Sequence, residues 1–222
     1  MLTLDQIGCK YRTDKSSPYH NYLNVYEKYF SAFRNIPLVQ LWELGIGDIT
    51  SLNREGESAY VWQEYFNVSP AIRVFDNDRL KVNRADFKKS HVYTHLIDQT
   101  DEAGFLKLLK EVDRPNIIID DASHIQKNTI RSFEILFPLL QSGGLYCLED
   151  VITSYWPDWG GNIDYYSTDN TTIMSYMLDL CHLVNFKRQE TFNPPQNRLI
   201  PDFVKQVDSI HFHHSQIIIR KK

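Results

Sequence analysis

The chain has 222 residues, 42% of them hydrophobic, with 24 Lys and Arg against 28 Asp and Glu for a formal net charge of −4. A mean hydropathy of −0.40 and no apolar run near ~20 residues exclude a transmembrane helix. Outside Lys88-Lys89 and the terminal Arg220-Lys221-Lys222 there is no basic block, which argues against nucleic acid as the main partner.

Length at ~100–200 residues per domain predicts a single domain over 1–222, with residues 1–36 as an N-terminal helical elaboration. Met1–Asp5 has no basic flank followed by an apolar stretch, so no signal peptide is expected. Cys9, Cys147 and Cys181 are far apart and without CxxC spacing, and read as reduced thiols in a cytoplasmic protein. After a polar opening at Tyr11–Pro18, Tyr22, Tyr26, Tyr29, Phe30 and Phe33 recur at helical spacing and predict an amphipathic helix.

Beyond Pro37 short apolar runs alternate with helical patterns. Leu38–Leu44 ends in Gly45-Ile46-Gly47, Ile72–Phe75 at Asp76, and Val92–Ile97 at Asp98. Ile117–Ile119 ends at Asp120-Asp121, and Leu145–Leu148 at Glu149-Asp150. Between them Ala59–Phe66, Phe105–Val112 and Ile130–Leu140 read as helices, the last stopped by Gly143-Gly144. Continuous apolar strands alternating with helices predict a parallel sheet covered on both faces. Ser209–Phe212 and Ser215–Ile219 predict a closing antiparallel hairpin. The fold class is therefore α/β: a Rossmann-like, doubly wound seven-stranded sheet, mostly parallel, with a C-terminal antiparallel hairpin.

In such sheets ligands bind beyond the carboxyl ends of the strands, where this chain places its glycines and acids. Glu43-Leu44-Gly45-Ile46-Gly47 is either a ligand loop or a tight turn, because a dinucleotide fingerprint needs a third glycine where Thr50 stands. Asp76 reads as an acceptor for ribose hydroxyls and Asp98 for an adenine amino group, ahead of the alternative that each caps a helix. Asp78 and Asp101 are assigned instead as helix N-caps.

Asp120-Asp121-Ala122-Ser123-His124 and Glu149-Asp150 carry the most information. Adjacent parallel strands would bring Asp121, Glu149 and Asp150 together, and three clustered carboxylates call for a cation. Oxygen donors suit Mg²⁺. His124 would stand beside it, and an imidazole suits a general base at neutral pH. Each residue alone could equally be a cap or a backbone partner. Thr153–Asn162 with Tyr165-Tyr166 offers Tyr155 and Trp156 for stacking a sugar, or packs over the sheet. His211-Phe212-His213-His214 reads as packing or exposure rather than a metal tract, since strand alternation splits it between two faces.

Thr13-Asp14-Lys15, the ELGIG turn, Asp98-Gln99 and the block from Asp120 to Gly161 resemble the sugar O-methyltransferases of macrolide biosynthesis, of the mycinamicin VI 2''-O-methyltransferase type. The likeness runs roughly from residue 8 to residue 220. It implies a class I methyltransferase that moves a methyl group from S-adenosylmethionine (SAM) to the hydroxyl of a free sugar, glycan or glycosylated natural product. It further implies Mg²⁺ on Asp121, Glu149 and Asp150, and His124 as the base. SAM would lie along Glu43, Gly45, Gly47, Asp76, Asp98 and Asp120. Catechol O-methyltransferases share the layout with a lysine base. The chain departs from the family at Ala122, where glycine is usual, and over Asp48–Glu57. The resemblance does not take in the long N-terminal extension of the macrolide enzymes, and the macrolide itself is not carried over as the expected acceptor. A catalytically silent SAM- or metal-binding module is the rival expectation, and a nicotinamide oxidoreductase is disfavoured by Thr50 and the hairpin. Symmetry base rates favour a homodimer.

Overall fold

A computed structural model describes residues 1–47, 57–85, 87, 91–164, 170–186 and 201–222. Thr50, most of the divergent 48–57 segment, Lys88-Lys89 and Tyr165-Tyr166 lie outside the described residues.

The five parallel strands are β1 (Gln40–Leu44), β2 (Ala71–Asp76), β3 (Val92–Leu96), β4 (Ile117–Asp120) and β5 (Leu145–Leu148). The hairpin strands β6 (Val207–His213) and β7 (Gln216–Lys221) complete a seven-stranded sheet in the order β3-β2-β1-β4-β5-β7-β6. Only β7 runs antiparallel to its neighbours β5 and β6. The chain builds outward from β1 to β3, then crosses to β4 on the other side of β1. Strand order reverses between β1 and β4, and there the carboxyl ends splay into a crevice. Fold class and hairpin follow the sequence expectation.

Two cores cover the sheet. Leu41, Ile72, Val74, Ile117, Ile119 and Cys147 face α1 (Leu4–Tyr11), α2 (Tyr22–Phe30) and α3 (Glu57–Tyr65). Trp42, Leu44, Ile118, Tyr146 and Leu148 face α5 (Glu102–Leu108), α6 (Gln126–Leu136) and α7 (Ile173–Phe186), with α4 (Arg79–Arg84) following β2. This period-two alternation decides where each acid of the strand ends points. Counting outward, Glu43, Asp121 and Glu149 fall on the face of α1 and α2, and Asp120 on that of α6.

The expected aromatic helix is α2, whose Tyr22, Leu23, Tyr26 and Phe30 are buried. Asp78 and Asp101 cap α4 and α5 as assigned, accepting from the backbone N–H of Leu80 and of Gly104. Two helices, α1 and α7, were not read as separate elements in the sequence, and α4 was implied only by Asp78 as its N-cap. The first begins in a capping box, with Thr3 accepting from the Gln6 N–H and the Gln6 side chain accepting in return.

Candidate active site

A cavity of about 390 Å³ lies at the switch point. Its lining includes Gly45, Gly47, Asp76, Asp98, Asp121 and His124. Gly45 is required by space: it holds φ +97°, and a Cβ there would collide with the carbonyl oxygen of Asp121, so only glycine lets β1 and β4 end this close together. At Gly47, φ +89°, a Cβ would meet no atom of the described residues within 4 Å. Asp76 accepts from the N–H groups of Ile46 (3.1 Å) and Asp78 (2.8 Å), which fixes its carboxylate at the mouth of the first strand turn. Burial alone would raise the pKa of Asp98. Hydrogen bonds from the Thr100 hydroxyl and N–H and from Asn77 outweigh that and hold it below the ordinary value. Phe75 and Ile97 supply apolar wall.

At one end of this cavity an oxygen of Asp121, a ring nitrogen of His124 and an oxygen of Asp150 all lie within 4.8 Å of one another. His124 Nε2 is 3.7 Å from Asp121 Oδ1 and 3.6 Å from Asp150 Oδ2. His124 (φ +54°) and Asp150 (φ +51°) are both in the left-handed region, which non-glycine residues enter at a cost. One strut fixes both. The Gln126 amide donates to the His124 carbonyl (3.1 Å) and to Thr153 Oγ1 (3.1 Å), and the Thr153 hydroxyl donates to the Asp150 carbonyl (2.7 Å).

Behind this cluster lies a second, drier layer. Lys15, 3% exposed, donates from Nζ to Asp121 Oδ2 and to Glu149 Oε2, the latter at 2.6 Å, and stands 3.9 Å from Glu43 Oε1. Burial by itself would lower the Lys15 pKa. The charges of Asp121, Glu149 and Glu43 reverse that and hold the ammonium well above its ordinary value. Glu43 is pushed up to about 7 by burial against the pull of Lys15, and burial also raises Glu149. One ammonium thus faces three carboxylates, and the layer is short of positive charge. Tyr26 donates to Glu149 Oε1 (2.6 Å) and Tyr22 to Asp150 Oδ1 (2.6 Å), one helical turn apart on α2.

The expected residues therefore separate into groups. Asp121, Asp150 and His124 converge, while both oxygens of Glu149 are turned to Lys15 and Tyr26. Gly45, Gly47, Asp76 and Asp98 line the cavity; Glu43 and Asp120 stand beneath its surface. Glu43 Oε2 accepts from Ser58 and from the Trp62 indole, and Asp120 accepts from Tyr146 across the other face. Burial raises Asp120 to about 6 against the hydrogen bonds of Tyr146 and Ser132. Lys15, Tyr22 and Tyr26 were not read as site residues from their own positions, because they reach the strand ends from more than a hundred residues away in sequence.

A second cavity, about 550 Å³, opens on the far side of Asp150 and shares that residue with the first. Tyr19, His20, Tyr22, Trp156 and His213 line it, and among the described residues no Lys or Arg does. Trp156 is 43% exposed and packs edge-on against Trp159. Tyr155 lines neither cavity. In the closing hairpin His213 pairs with the Tyr29 hydroxyl (2.8 Å) and His211 with Ser209 (3.0 Å), while His214 is exposed.

The MycE methyltransferase of mycinamycin biosynthesis, solved with Mg and SAH, superposes with a TM-score of 0.86 at 27% identity, over 99% of this chain and 54% of its own. The fold is that of the class I methyltransferases. In sequence, the chain is 32% identical over 187 residues to the L-olivosyl-oleandolide 3-O-methyltransferase of Streptomyces antibioticus, covering 84% of this chain and 47% of that protein. It is 27% identical over 221 residues to the mycinamicin VI 2''-O-methyltransferase of Micromonospora griseorubida, covering 98% of this chain and 52% of that protein. These relatives are sugar O-methyltransferases, as the sequence motifs implied. The chain spans about half the length of the curated relatives it matches. No protein-family model matches it. Among the described residues no helix is long and apolar enough to cross a membrane.

Proposed function

We propose that this chain transfers a methyl group from SAM to a hydroxyl of a neutral sugar, using a divalent cation and His124 as general base. The observation that carries this reading is the convergence of Asp121, His124 and Asp150 where a cofactor-sized cavity meets a second, aromatic-lined one. The likeness to MycE, crystallised with Mg, SAH and mycinamycin VI, supports it.

The donor set fits Mg²⁺. Asp121 and Asp150 present hard carboxylate oxygens, and the buried layer behind them sets a single ammonium, Lys15, against three carboxylates. Asp121 and Asp150 would hold the ion, and Glu149 would join them only by leaving Lys15. The cavity fits SAM as well: Gly45 and Gly47 line it, Asp76 would accept from the ribose and Asp98 from the base, with Phe75 and Ile97 beside the ring. When bound, Mg²⁺ would supply a Lewis acid that acidifies an acceptor hydroxyl, and SAM an electrophilic methyl group.

The chain's own work is positioning and proton transfer. Trp156, Tyr19 and Tyr22 give a sugar ring apolar faces to stack on, and the second cavity delivers its hydroxyls toward Asp150. His124 takes the hydroxyl proton at Nε2, the nitrogen set between the two aspartates. The Gln126–Thr153 strut holds the backbone that carries that imidazole, and near-attack geometry depends on such placement. The test is incubation with SAM, Mg²⁺ and a panel of neutral glycosides. A mono-methylated sugar whose formation stops in excess chelator supports the proposal; SAM consumption unaffected by chelator overturns the metal's part in it.

A further inference from the structure

Each carboxylate of the converging cluster has one oxygen turned toward His124 and the other held from behind by the N-terminal segment. Asp121 Oδ1 faces His124, while Oδ2 accepts from Lys15. Asp150 Oδ2 faces His124, while Oδ1 accepts from the Tyr22 hydroxyl at 2.6 Å. A free carboxylate rotates and can offer a cation either oxygen or both. Here one oxygen of each is tied back by a donor, which stops that rotation, and the other two oxygens face one point beside His124.

We propose that Lys15 and Tyr22 are positioning residues that aim Asp121 and Asp150 as one-oxygen ligands at a shared cation. Outer partners of this kind set the orientation and basicity of metal ligands, and losing one typically costs ~10–100-fold in affinity. The two residues act from separate sides. Lys15 rises through the buried layer, where Glu149, itself held by the Tyr26 hydroxyl, locks its ammonium in place. Tyr22 stands at the start of α2 and lines the acceptor cavity, so its hydroxyl ties ligand geometry to that cavity's wall. The same short stretch, 14–22, thereby places Asp14 at the cofactor cavity, Lys15 behind the cluster and Tyr19 to Tyr22 at the acceptor cavity.

The inference rests on the cation site proposed above, and the test separates the two. Mn²⁺ binding to the full chain, followed by electron paramagnetic resonance without SAM or acceptor, reads the site directly. Tyr22→Phe removes one hydroxyl and is expected to weaken Mn²⁺ binding about tenfold or more. Tyr29→Phe on the same helix, whose hydroxyl pairs with His213 instead, is expected to stay within about twofold. Lys15→Met sets aiming against charge, because losing a nearby cation and releasing Glu149 would each tighten Mn²⁺ binding, whereas loss of aim weakens it, and net weakening is expected. Should Lys15→Met fail to fold, Tyr22→Phe decides. Wild-type binding with Tyr22→Phe unchanged, or tighter binding in a folded Lys15→Met, overturns the positioning role and leaves the cation site standing. No Mn²⁺ binding by the wild type overturns both.

Discussion

Lys15 Nζ lies 2.6 Å from Glu149 Oε2, a bond between residues 134 positions apart that closes the N-terminal segment over the strand ends of the sheet. It has two consequences. Glu149, an expected cation ligand, is engaged by the protein's own cation, and one oxygen of Asp121 is tied back by the same ammonium. The site is thus two layers deep, with a buried counter-ion layer behind a half-exposed reactive one.

Asp120 gives a pH-dependent prediction with a definite sign. Its carboxyl is held near 6 by burial against an ordinary value of 3.8, so the folded state keeps the proton more tightly than the unfolded chain does. Stability from this group therefore falls as pH rises through that window and is flat above it. Asp120→Asn, which keeps an acceptor for Tyr146, is expected to be more stable than wild type by up to ~3 kcal/mol at pH 8, the gain fading toward pH 4. Urea unfolding at several pH values measures it. A destabilised Asn variant at pH 8 would show that the ionised carboxylate is needed there.

The strand ends show how much of this was legible. Every parallel strand was found within a few residues, because a continuous apolar run ended by an acid or glycine is a strong signal, and β4 and β5 were read nearly to the residue. The facing of Asp120, Asp121 and Glu149 was available too. Alternation from Ile118 and Tyr146 already sends Asp120 to the opposite face from Asp121 and Glu149. Lys15 was not available, since nothing local says that a lysine in a polar opening will be carried into a nest of carboxylates. Similarly, α7 opens with Ile173-Met174, and an apolar stretch of that kind does not by spacing alone declare which face it buries.

His124 provides the second prediction. His124→Asn removes the proton acceptor and keeps a residue type that tolerates φ +54°. Turnover should fall by ~10²–10⁴-fold while S-adenosylhomocysteine affinity is unchanged. Turnover within a few-fold of wild type would assign the proton to another group.

Gly45 provides a third. Alanine there adds a left-handed penalty and a collision with the Asp121 carbonyl. The loss should be at least ~2 kcal/mol, with S-adenosylhomocysteine binding weakened because the β1 and β4 ends are forced apart. A urea midpoint equal to wild type would contradict the close approach seen here.

A fourth concerns the acceptor. The second cavity has Asp150 and, among its described lining residues, no Lys or Arg, so it offers the carboxylate of an anionic sugar no guanidinium or ammonium partner. A uronic-acid glycoside should show kcat/KM about tenfold or more below that of its neutral counterpart. Equal efficiency for the two would contradict the electrostatic reading of that cavity.

The central claim is a methyltransferase cofactor site at the β1–β4 switch point, and calorimetric titration tests it most directly. The protein would be titrated with S-adenosylhomocysteine and, in parallel, with NADH, with and without Mg²⁺. The account predicts saturable binding of S-adenosylhomocysteine, weakened in Asp76→Ala, and none of NADH. NADH binding with no response to S-adenosylhomocysteine would contradict it.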